Sequence, residues 1–216
     1  MKFSNHFFRV SGAFMVLGSI AVVIGHLLKP QPPVNNSGIE RFISQSLLSD
    51  TLLLVGVPVV LLCLAALFIR QSSSLSLWGW AGYPLMFIGL LVVDVIQPVI
   101  RLATYPHVLA DVNGEKEIFQ AVTTIYDQEP FGFLNFLLLL SLIGPLWSAV
   151  VFWKAKTYPG WMALMLAFLV PVFIIAPLFG FFNFPAYLYL VFALFGVRLI
   201  TDTFNKQPAL ALTPDQ

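Results

Sequence analysis

The chain has 216 residues, 59% of them hydrophobic and 10% charged, with a formal net charge of +1. A soluble globular domain carries about 25% charged residues, so this chain, at a mean hydropathy of +0.89, is not built for water. Soluble cytosolic and secreted enzymes are excluded, and with no basic run there is nothing to support nucleic-acid binding.

The chain reads instead as an all-α integral membrane protein. Six apolar stretches, at about 8–28, 51–69, 77–100, 131–153, 160–182 and 185–200, predict six transmembrane helices. The first is a retained helix rather than a cleaved signal, because its end, VIGHLLKP, has no small-x-small cleavage pattern. Between spans 1 and 2, Ile39, Phe42, Ile43 and Leu47 recur at helical spacing and predict a short amphipathic helix on the outer surface. Span 3 carries Pro98 near its end. A second outer amphipathic helix is predicted within 102–130, with Ile118, Phe119, Val122, Ile125 and Tyr126 on one face. No charged residue occurs from Gly160 to Val197, which is too long for one span, so the run is expected to break at Asn183-Phe184-Pro185. Pro171 and Pro177 predict a bend in span 5. Residues 205–216 read as a flexible cytoplasmic tail, and 1–204 as a single domain.

Orientation follows the cations. With the N-terminus inside, Lys2, Arg9, Arg70, Lys154, Lys156, Arg198 and Lys206 are inside and Lys29, Arg41, Arg101 and Lys116 outside, seven against four. Both termini are therefore expected in the cytoplasm. Trp78, Trp80, Trp153 and Trp161 flank the two inner turns, where an interfacial belt belongs. The turn Lys154-Ala155-Lys156-Thr157-Tyr158-Pro159-Gly160-Trp161, with the overall order of spans and outer helices, resembles a bacterial six-span membrane family described only as a domain of unknown function. That resemblance implies the cytoplasmic membrane of a bacterium and lends no chemistry.

Few residues can carry chemistry. Asp94 lies seven positions before Arg101, inside span 3, and intramembrane acids face a bundle interior or a wet cavity. Gln97 and Arg101 follow at helical spacing, so the three are expected to share a face. Pro98 removes the amide that would bond the Asp94 carbonyl and predicts a kink there. His26 on span 1 and Asn135 on span 4 fall at a similar depth and complete a candidate ligand site in the outer half. The competing reading of Asp94 is a structural acid bonded to a neighbouring helix.

No His-x-x-x-His spacing or Gly-x-Ser-x-Gly motif is present, and Cys63 is the lone cysteine, so no metal site, cofactor or catalytic residue is assigned. Gly18, Ala21 and Gly25 give span 1 a small-residue face for contact within the bundle or with a partner. Three functions remain open. The first is binding or transport of a small lipophilic or weakly charged molecule. The second is a non-catalytic accessory subunit of a larger membrane complex. The third is an intramembrane enzyme acting on lipid, for which no nucleophile–base pair can be named. Membrane lipid is the expected surroundings in each case.

Overall fold

The computed structural model describes residues 4–30, 39–112, 137, 139–175 and 184–201. The described residues are helical, without a strand. In chain order they form α1 (Asn5–Leu28), α2 (Ile39–Arg70), a 3₁₀ turn at Ser72–Ser74, α3 (Leu77–Trp80), α4 (Gly82–Leu91), a π turn at Val92–Ile96, α5 (Gln97–Val112), α6 (Leu140–Ala155), α7 (Gly160–Ala167), α8 (Leu169–Ile175) and α9 (Phe184–Thr201). Three runs, Asn5–Leu28, Glu40–Arg70 and Leu77–Thr104, are long and apolar enough to cross a membrane. Leu140–Ala155, Gly160–Phe173 and Pro185–Thr201 are shorter apolar helices at the places where spans 4 to 6 are expected.

The first outer helix differs from expectation. Ile39–Leu47 is not a separate surface helix but the opening of the 32-residue α2. Ile43, Ser46, Asp50, Leu53 and Val57, spaced by three or four, are all buried, so one stripe runs unbroken from the expected loop into the span. The second expected outer helix, with its face of Ile118, Phe119, Val122, Ile125 and Tyr126, lies outside the described residues; α5 runs to Val112. Asn183 and Pro177 also lie outside them. Span 5 is interrupted at Phe168, between α7 and α8, three residues before Pro171.

Glycine sets how closely the helices approach. Helix α1 packs along both α2 and α9. A Cβ on Gly12 would sit 2.6 Å from the Gly196 carbonyl oxygen, and one on Gly196 would sit 2.7 Å from that of Gly12. Higher on α1, Gly18 faces Gly56 and Gly25 faces the Ser49 carbonyl. The small-residue face of span 1 is thus spent inside the bundle. The opposite face of α1, with Phe14, Leu17, Ile20, Ile24 and Leu27, is exposed, as is Leu62 of α2 at 77%. Apolar surface of that extent suits a hydrocarbon surrounding.

At the end of the bundle near Lys154, an aromatic cluster joins α2, α4, α6 and α9. Phe68 lies against Trp80, Tyr83 and Phe152, and Phe152 against Tyr158 and Phe195. Helix α6 ends on Lys156 in the left-handed conformation (φ 54°), its amide donating to the Phe152 carbonyl.

Replacing Gly196 by Val is expected to destabilise the protein by about 1–3 kcal/mol or more through backbone clash, while Leu62→Ala on the exposed face shifts stability by less than about 0.5 kcal/mol. Thermal unfolding in detergent checks this. A Gly196→Val protein as stable as the parent would mean the α1–α9 crossing is looser than described.

Candidate functional site

Asp94 stands at the centre of the π turn, 3% exposed. The turn has a local cause. Pro98 has no amide to give the Asp94 carbonyl, so the regular i to i+4 pattern cannot continue through it. The backbone widens instead, and the Gln97 amide donates to the Val92 carbonyl, five residues back. The kink expected from Pro98 takes this form.

The widened turn aims the Asp94 carboxylate across the bundle at α1 and α9. The Tyr189 hydroxyl donates to Asp94 Oδ2 at 2.6 Å. His26 Nε2 lies 3.4 Å from Asp94 Oδ1. That approach is off the line of a hydrogen bond, and Nε2, fully enclosed, has no aligned partner. The His26 and Tyr189 rings are 5.9 Å apart, tilted by 32°. His26 is 4% exposed and Tyr189 is fully buried. Three helices thus converge at one depth on a carboxylate, an imidazole and a phenol.

A second polar contact lies beside the first. Arg101 on α5 grips Asp50 on α2: its Nε donates to both carboxylate oxygens, at 3.2 and 3.1 Å, and Nη2 donates to Oδ1 at 2.6 Å. The Asp50 side chain is 2% exposed and that of Arg101 24%. One residue earlier on α2, the Ser49 hydroxyl donates to the Gly25 carbonyl at 2.8 Å, tying α2 to the turn of α1 that carries His26. Lys29 follows α1. Desolvation first, then repulsion from the Arg101 guanidinium, hold its ammonium below the ordinary lysine range, while Asp50 and Asp94 pull the other way.

Of the residues expected at the site, Asp94 and His26 meet directly. Arg101 engages Asp50 on α2. Gln97 is half-buried, with no side-chain partner among the described residues. Asn135 lies outside the described residues. Two members were missed. Asp50 reads as a loop acid unless the α2 stripe is extended backward from Leu53 through Asp50 to Ser46. Tyr189 is the polar member of a buried stripe with Phe192, Phe195 and Leu199, and that spacing is visible in the sequence.

Chemically, the cluster can hold a proton. Carboxylate and imidazole each accept one, and a proton on His26 converts the 3.4 Å contact into an ion pair. No group of three His, Cys, Asp or Glu side chains among the described residues is arranged to hold a metal ion.

Arg101→Met is expected to cost about 3 kcal/mol, because it removes the guanidinium that grips the buried Asp50 carboxylate. Asp50→Asn should cost less, since the longer Arg101 side chain can reach outward to water. Chemical or thermal unfolding of both single variants and the double variant checks the order. Equal, small effects from both would show that the pair is not buried as described.

No family model, curated protein or solved structure matches this chain, so its site is read from its own geometry.

Proposed function

We propose that the chain is a multi-pass protein of a bacterial cytoplasmic membrane, with six spans and both termini inside. In this reading it binds or moves a small, weakly charged or lipophilic molecule at the Asp94 site in the outer half of the bilayer. The observation that supports it most is the His26–Asp94–Tyr189 contact at the π turn. Buried polar clusters of this kind at membrane depth are costly and belong to ion, proton or ligand pathways. π turns are frequent at functional sites.

The two carboxylate oxygens are not equivalent. Tyr189 holds Oδ2 with an aligned donor, while among the described residues Oδ1 meets only the offset imidazole. A small cation, a protonated weak base or a proton approaching Oδ1 replaces an imperfect contact with a better one. Tyr189 keeps the carboxylate in place as this happens, and His26 accepts or returns the proton.

The accessory-subunit reading loses its main surface, because Gly18 and Gly25 are occupied by α2. The enzyme reading gains hydrogen-bonded polar groups but, among the described residues, no nucleophile with an aligned base.

Native mass spectrometry of protein released from lipid particles tests the proposal. The parent is expected to carry a small molecule that Asp94→Asn loses, with both chains equally folded by circular dichroism. A bare chain in both, or a chain carrying another protein, would overturn it.

A further inference from the structure

We infer that the opposite end of the bundle holds an anionic phospholipid, its headgroup at Lys154 and one acyl chain in the groove between α6 and α7. The inference rests on the bundle lying in a bilayer, and not on what the Asp94 site binds.

Two clefts meet at Lys154. One, of about 460 Å³, is rimmed by Ser74, Ser76, Trp78, Trp147 and Lys154. The other, of about 430 Å³, is walled by Leu146, Val150, Trp153, Leu164 and Ala167, with Lys154 again at its mouth. Val150 is common to both. The first offers hydroxyls and an ammonium; the second, apart from Lys154, is apolar. From Lys154 back to Leu146 is eight residues of helix, so the apolar groove runs about 12 Å from the cation toward the middle of the span. Serine hydroxyls and an ammonium at the rim, above largely apolar walls that continue into an apolar groove along the helices, make the shape of a phospholipid, not of a free anion.

Charge selects the headgroup. The described cations at this end are Arg9, Arg70, Lys154, Lys156 and Arg198, on the ends of α1, α2, α6 and α9 and the α6–α7 turn. The acids in the described helices, Glu40, Asp50, Asp94 and Asp111, fall toward the other end or at the Asp94 site. A phosphate carried by a zwitterionic lipid brings its own cation into this field, whereas an anionic lipid does not. The Trp rings hold the cleft in shape. Trp147 Nε1 donates to the Trp78 carbonyl at 2.9 Å, and the Trp153 ring lies over Gly160, where an added Cβ would come within 3.0 Å. Trp78, Trp153 and Trp161 are 75%, 53% and 52% exposed, as interfacial anchors are.

The test uses the full chain in nanodiscs of phosphatidylcholine mixed with phosphatidylglycerol, ejected for native mass spectrometry. The parent is expected to retain phosphatidylglycerol in preference to phosphatidylcholine. Lys154→Ala should lower that retention about tenfold and Lys154→Arg restore it. Ala167→Phe, which fills the groove without touching the cation, should lower it as well. Asp94→Asn should leave it unchanged, which separates this site from the one above. Equal retention of the two lipids, no effect of Lys154→Ala, or a second copy of the chain in place of lipid would overturn the inference. Matching unfolding temperatures for Lys154→Ala and the parent keep a loss of lipid from being a loss of fold.

Discussion

A carboxylate inside an apolar bundle must be partnered or it destabilises the whole, and Asp94 is partnered from two helices at once. The ionised form of such a group costs several kcal/mol when taken from water without compensation. Its partners come from chain positions far apart: His26 near the end of α1 and Tyr189 near the start of α9. Meeting them requires α1 and α9 to lie close together and the helix carrying Asp94 to rotate its side chain inward. The glycines at 12 and 196 satisfy the first condition and the π turn ahead of Pro98 the second. The Asp50–Arg101 pair fixes α2 to α5 beside them. The same few polar atoms therefore register four helices that otherwise touch through interchangeable apolar surface.

The two ends of the bundle divide the work. Near Lys154, the packing is aromatic and the polar groups are cations at the rim. Near Lys29, Asp50 and Asp94 are buried and the backbone departs from regular helix, while close glycine contacts occur toward both ends, Gly12 on Gly196 near Arg9 and Arg198 and Gly25 on Ser49 beside His26.

Much of this was legible in the residues. The apolar stretches mark the helices, Asp94 marks the site, and Pro98 marks the irregular turn. The apolar stretch of span 2 begins at about residue 51, which leaves Asp50 just outside it. Helical periodicity carries further back, through Ser46 and Ile43, and places Asp50 on the buried stripe. Tyr189 was hidden for a different reason. A tyrosine among Leu, Phe and Val contributes to packing whether or not its hydroxyl bonds, and only the fold shows which acid lies opposite. The pairing of Arg101 with Asp50 depends on α2 reaching beyond its apolar segment, and no local pattern in span 3 encodes that.

Infrared spectroscopy of the reconstituted protein with ¹³C-labelled aspartate tests the central contact most directly. The signal lost in Asp94→Asn isolates the Asp94 carboxyl, and that band should shift in Tyr189→Phe and again in His26→Gln. A band that both substitutions leave in place would show that neither side chain touches Asp94, and the convergence of α1, the π turn and α9 on one carboxylate would be wrong.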